Sequence, residues 1–433
     1  MIRKSGCYRK MSESTSKAYV EKKVRFLLNR EKNPTIWKIL FVIEQIIIGG
    51  KNRKIVTSAI SKKVKKTINF YRPSPYLPNG IIYYVEQWLE GEIPPEMKGS
   101  WIKEIVPEHK TYREKAKNIR GELHSPLDKW HGYHSYPKAK LCLLRNANIV
   151  NENGTVISSD DKVFSDFTYQ IGKPIEKNDV FKSYIKKPEL KKGCFATITA
   201  SESSGYFHWM LECLPRIRLI EDYIDEIDYL IVPDNLKKFH IETLDRLGFP
   251  EEKLYRIKDG MNLQCEKLFV PSLPIGNALM SKWVCDFLRE SFIPEDVADP
   301  HRLIYISRKD ALYRKIMNEG EVEEYLKEMG FEIFQMSELS FLEQVKICAE
   351  AKVVISPHGA GLTNIVFCRG AKILEMFSPS YLGGFSILAN YGKNEYWYLV
   401  GEDRPGNSPP SWRDFSVNIN DMKKTMELMI KNV

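Results

Sequence analysis

From residue 141 onward the chain settles into short apolar runs separated by amphipathic stretches, whereas residues 71–140 show no sustained period. LCLLRNANIV and TVIS flank Asn151–Gly154 and predict a β-hairpin, with turn-forming residues between two apolar runs. GCFATITA reads as a strand. Gly205–Tyr223 then reads as a helix, with apolar residues at 207, 210, 211, 214 and 217. DYLIVP is a second strand, followed by a helix expected to start at an Asp234 cap, run through Leu247 and close at Gly248. LYRIKD and CEKLFVPS follow as strands. After a helical stretch at 278–292 and a proline-marked break at 294–300, the pattern restarts. HRLIYIS, FEIFQM, KVVIS and KILEMF read as strands, separated by helices at 321–329, 340–351 and 361–368. Ser340 and Glu343 stand at capping-box spacing, and Gly330 and Gly370 mark helix ends.

Short apolar strands alternating with amphipathic helices argue for an α/β fold with parallel strands and right-handed crossovers. Two successive units of this kind predict two Rossmann-like lobes facing a central cleft, with ligands beyond the carboxyl ends of the strands. The expected boundaries are a basic helical extension (1–70), an irregular segment rich in proline, glycine and aromatics (71–140), a first lobe (141–297) and a second lobe (298–433). The last helix is expected to pack back on the first lobe.

Charge sharpens this picture. Residues 1–70 hold 18 Lys and Arg against 4 Asp and Glu, while the other 363 residues hold 47 against 52. The overall net charge of +9 is therefore a property of the head, and the body is mildly acidic. The most apolar stretch, Ile36–Ile48, is 13 residues long and interrupted by Lys38, Glu44 and Gln45, too short for the roughly 20 residues a spanning helix needs. Between its basic flanks it has two readings, a helix lying on an anionic membrane surface or one packed on the body. No signal-peptide core occupies the first 30 residues, and the expected location is cytoplasmic, peripheral on the inner face of the cell membrane. The basic head lacks the aromatic interleaving of a nucleic-acid module, so no nucleic acid is expected. The eight cysteines form no C-x-x-C pair and no zinc spacing, and read as buried reduced thiols.

Chemistry concentrates in a few places. His358-Gly359-Ala360-Gly361 leaves a strand and enters a helix, a turn where backbone N–H groups and a helix dipole can meet a pyrophosphate. Glu375 lies in the next strand, where a carboxylate could accept from a ribose diol. Arg308, Lys309 and Arg314 follow the first strand of the same unit and bring positive charge to the same edge. In the first unit His208 opens a helix with Glu212 four residues later on the same face, an arrangement suited to a general base. No D-x-D pair exists to hold a divalent metal, and nucleophile-elbow, P-loop and kinase signatures are absent.

Two elements together resemble family 61 glycosyltransferases: Ile306–Phe377, with its HGAGLTN run and following strand glutamate, and the GYFHWMLECLPRI segment. The resemblance covers roughly 140–400, and residues 1–135 have no counterpart in it. It implies a GT-B fold and an inverting, metal-independent transfer from a nucleotide sugar, a UDP-sugar, to a hydroxyl of a glycan or lipid-linked acceptor. Donor contacts would come from Arg308, the His358–Gly361 turn, Asn364 and Glu375, with the acceptor near His208. No cofactor is implied beyond the donor substrate. Among relatives, the chain is similar to the capsule and cell-surface polysaccharide branch. Alternatives are a sugar-nucleotide epimerase or pyruvyltransferase of similar fold, or a non-catalytic scaffold of polysaccharide assembly.

Overall fold

Two sheets of unlike character carry the molecule. The computed structural model describes residues 76–430, apart from 122–123, 125–126, 128, 171, 183–184, 277–278, 381–383 and 405–408. The basic extension expected over 1–70, with its membrane-surface reading, lies outside the described residues. Residues 75–433 form one compact unit.

The first sheet is nine-stranded and mixed. Its strands are β1 (Gly80–Ile82), β2 (Trp101–Val106), β5 (Ala139–Val150), β6 (Thr155–Ile157), β7 (Lys162–Phe164), β8 (Glu189–Thr197), β9 (Tyr229–Pro233), β10 (Leu254–Ile257) and β11 (Asn262–Pro271); β3 (His109–Arg113) and β4 (Gly132–Tyr136) make a separate ribbon. The expected hairpin is present: β5 and β6 pair antiparallel with Val150 opposite Thr155. Gly154 sits in its turn at φ +69°, and a Cβ there would collide with Thr199 Oγ1. The strands β11, β8, β9 and β10 run parallel, while the long β5 lies antiparallel to β11. The first unit is thus only half a parallel sheet. A short ladder of β12 (Ile275–Gly276) with β13 (Leu279–Met280) follows.

The second sheet matches expectation more closely. β14 (Arg302–Ile306), β15 (Glu332–Phe334), β16 (Ala351–Pro357), β17 (Lys372–Phe377) and β18 (Glu395–Val400) stand in the order β15-β14-β16-β17-β18, all parallel. Such strands are buried on both faces and so read as continuous apolar runs. The principal helices are α1 (Val85–Glu90), α2 (Lys238–Arg246), α3 (Lys282–Phe292), α4 (Glu319–Glu328), α5 (Phe341–Ala349), α6 (Phe385–Tyr391) and α7 (Ile419–Ile430). The predicted capping box forms on α5, where Ser340 N–H donates to Glu343 at 2.8 Å and Ser340 Oγ accepts from Glu343 N–H. The Asp234 cap does not form: α2 starts after Lys237, and Asp234 pairs instead with Lys258 at 3.3 Å.

One apolar core joins the sheets. Leu141, Ala196 and Leu230 from the first belong to the same buried cluster as Ile304, Val354 and Ile373 from the second, linked through Trp209, Leu214, Phe287 and Leu362. Truncating a fully buried aromatic such as Trp209 to Ala would cost about 3–5 kcal/mol.

Two expectations are corrected here. Residues 76–140 are not merely irregular: β1 and β2 enter the first sheet, and Lys117 lies along β18 of the second, donating to Tyr396 O at 2.9 Å and accepting from Tyr398 N–H at 3.0 Å. These strands are short and pair with distant partners, so no local period reveals them. The last helix does not pack on the first sheet. Met422, Met426 and Met429 of α7 are buried among Tyr305, Leu326, Trp397 and Leu399, so its apolar stripe covers the second sheet. Among the described residues, no helix is long and apolar enough to cross a membrane.

Candidate active site

His208 and Glu212 meet as their spacing predicts, through an unusual helix. Tyr206–His208 form one α-helical turn, Trp209–Cys213 a π-helical turn, and Leu214–Glu226 a 3-10 run. Wide π turns are rare and recur at functional sites. His208 Nδ1 lies 2.8 Å from Glu212 Oε1; the carboxylate is nearly buried, while 26% of the imidazole side chain stays exposed. With Nδ1 held by a carboxylate, Nε2 is the nitrogen that can take a proton.

The turn preceding this helix is pinned by a histidine that the sequence analysis passed over. His240 on α2 accepts at Nδ1 from Lys237 N–H (2.7 Å) and sits 3.1 Å by Nε2 from the Ser203 carbonyl, with Trp209 packed on it. Burial lowers its pKa to about 4.

At the carboxyl end of the second sheet, the HGAG turn and the Arg308 loop are interlocked. Glu319 fixes the start of the loop, accepting from Tyr305 OH and Ser307 Oγ, each at 2.8 Å. Arg308 then lays its guanidinium across Gly359. A Cβ on Gly359 would fall 1.6 Å from Arg308 Nη1, so only glycine permits this approach. Gly361 is likewise close to the sheet, a Cβ there coming 3.2 Å from Ile306. Arg314, in the left-handed region at φ +59°, joins the cluster with its guanidinium over the Tyr313 ring. Arg308 Nε and Arg314 Nε are both buried with no acceptor among the protein atoms. Burial, and then the neighbouring Arg314, push Arg308 below its usual range, against the opposing pull of Asp310. Buried guanidinium donors without acceptors are a fit for an oxyanion.

His358 completes this cluster. Its Nδ1 lies 2.6 Å from Glu375 Oε1, and Tyr396 OH donates to Glu375 Oε2 at 2.6 Å. Burial pushes the imidazole below its usual range; Glu375 opposes this, and Arg314 and Arg308 add to it. Glu375 is fully buried, and its oxygens serve His358 and Tyr396 within the protein, where the sequence suggested a ribose contact. The Tyr396 partnership has no signal in local sequence. It follows from the parallel pairing of β17 with β18.

Other expected contacts are placed differently. Lys309 is bound to Glu323 at 2.6 Å. Asn364 is fully buried, accepting from Tyr206 OH at 2.5 Å and donating to Gln344 at 2.9 Å. It ties the His208 helix to the segment after the HGAG turn. Ala360 is the exposed member of that turn. The two histidines approach one another through rings: His208 contacts Phe207, Phe207 contacts Phe385, and Phe385 contacts His358, with centroids 5.2, 5.7 and 5.3 Å apart. Among the described residues, no three or more His, Cys, Asp or Glu side chains are gathered so as to hold a metal ion.

The match to a family model falls on this part of the chain. Residues 206–374, from the turn bearing His208 to the strand of Glu375, match the family model for glycosyltransferase 61. The chain is also similar to the EGF domain-specific O-linked N-acetylglucosamine transferases of Bos taurus and Rattus norvegicus, at 33% identity over 81 residues, and of Canis lupus familiaris at 32%. These matches cover 17% of this chain and 15% of the relatives' own length. The segment matched by the glycosyltransferase 61 model carries His208, the Arg308 loop and the HGAG turn.

Proposed function

We propose that the chain is an inverting, metal-independent glycosyltransferase with a GT-B arrangement of two Rossmann-like halves. It takes a nucleotide diphosphate sugar, a UDP-sugar, at the carboxyl end of the second sheet and transfers the sugar to a hydroxyl of a glycan or lipid-linked acceptor in cell-surface polysaccharide synthesis. The observation that carries this reading is the pair of half-buried arginines, Arg308 and Arg314, whose Nε groups lack an acceptor among the protein atoms, gathered with His358 around a glycine turn inside the family-matched segment. In the reaction His208 Nε2 takes the acceptor hydroxyl proton while its oxygen attacks the anomeric carbon. The bond from that carbon to the diphosphate oxygen breaks, and the departing electron pair comes to rest on a phosphate met by Arg308 and Arg314. Glu212 holds the resulting imidazolium.

Two variants separate the roles. Arg308→Met should weaken UDP binding by about ten- to a hundredfold in calorimetry, the range for losing a charge-assisted hydrogen bond. His208→Asn should leave UDP affinity intact and lower turnover by about 10²- to 10⁴-fold. UDP affinity equal in wild type and Arg308→Met would remove the donor site from this place. Donor-sugar conversion without any acceptor would point to an epimerase instead.

A further inference from the structure

We infer that Tyr396 is a positioning residue: acting through Glu375, its hydroxyl holds His358 with Nδ1 as the protonated ring nitrogen and Nε2 as an acceptor. Tyr396 lies beyond the family-matched segment, on β18. In the parallel register Glu375 stands opposite Tyr398, so Tyr396 is its diagonal neighbour on the same face of the sheet. The phenol is buried and donates to Oε2 at 2.6 Å, leaving Oε1 to the imidazole at the same distance. A carboxylate accepts at both oxygens, so the ring nitrogen facing it must carry the proton.

Charged groups face His358 from at least two elements. Glu375 faces it from β17, and Arg308 and Arg314 face it from the loop after β14; Phe385 of α6 adds only an uncharged ring. The arginines favour a neutral imidazole, whose Nε2 then accepts a hydrogen bond. The proton arrangement of the donor-side histidine is thus set from β18. Its relevance to the donor rests on the donor-site reading above, but its test does not.

The test is the titration of His358 in the ligand-free full chain, labelled with 15N and 13C at histidine and assigned by loss of a resonance in His358→Gln. In wild type the neutral ring should show the Nδ1-protonated tautomer. Tyr396→Phe should raise the apparent pKa by about one unit, because a buried carboxylate stripped of one donor holds the shared proton more tightly. Glu375→Gln removes the negative partner and should lower it. In that background Tyr396→Phe should add nothing if Tyr396 acts through Glu375. An unchanged His358 titration in folded Tyr396→Phe, or an Nε2-protonated tautomer in wild type, overturns the inference. Should Tyr396→Phe not fold, an unchanged titration in Glu375→Gln does the same. UDP affinity, measured separately, tests the donor site alone.

Discussion

Gly359 acts through what it lacks. Its backbone is extended, at φ 174°, and any residue could adopt that conformation. What excludes a side chain is Arg308, whose guanidinium occupies the position of the missing Cβ. Gly359→Ala should therefore leave the melting temperature nearly unchanged while displacing Arg308 and weakening UDP binding at least tenfold, as calorimetry would read. Unaltered affinity would mean that Arg308 does not hold the diphosphate. Asn364, two residues into the same motif's LTN run, has the opposite character. It is spent wholly inside the protein, on Tyr206 and Gln344. A glycine and an asparagine from one motif thus serve the close approach of Arg308 and internal bracing respectively, and only their surroundings tell them apart.

At the scale of elements, the helical run 206–226 depends on α2. His240 binds the Ser203 carbonyl from the side opposite the solvent and must be neutral to accept from Lys237 N–H. Its folded pKa of about 4 lies below the ordinary 6.5, so the unfolded chain binds a proton here that the folded chain refuses. The stabilisation is complete above pH 6.5 and falls as pH drops toward 4, by roughly 3 kcal/mol in all. Melting temperatures at pH 7 and pH 5 check this. His240→Gln should melt lower than wild type at pH 7 but lose less between the two pH values. An equal loss in both would assign the acid sensitivity elsewhere. The expected functional effect is indirect, since the turn that His240 holds leads straight into His208.

The unit formed by residues 75–433 is closed by a strap that runs from residue 80 to the stretch around Lys117. Residues 80–106 extend the first sheet, while the stretch around Lys117 continues the second beyond β18, and Asn118 and His124 both donate to Tyr398 OH. The strap thus covers the outer edge of the strand that carries Tyr396, an edge that would otherwise offer unpaired backbone groups. Lys117→Pro removes the N–H that reaches Tyr396 O. It should cost about 1–3 kcal/mol, the penalty for leaving a buried acceptor unpaired. Thermal melting would show the loss, and limited proteolysis should find new cleavage around residues 114–124. A variant with wild-type melting and cleavage would show that the strap contributes nothing to closure.

Local chemistry was legible wherever partners lie within a few residues. The hairpin at Asn151–Gly154, the Ser340–Glu343 cap, the His208–Glu212 pair and the parallel strands β14 to β17 all follow from periods and short spacings, which the backbone imposes without help, whereas β18 was not foreseen. Partnerships across the fold were not legible. Whether Glu375 meets water, ribose or Tyr396 depends on which strand lies beside β17. Whether Lys309 joins the arginines depends on Glu323, fourteen residues away on α4. The strands of the strap and the docking of α7 belong to the same class. The sequence by itself determined the α/β character, the glycine-turn motif and the uneven charge of the chain, because these reside in residue order. Only the tertiary structure decided which candidate side chains face one another, because hydrogen bonds and burial are properties of neighbours in space.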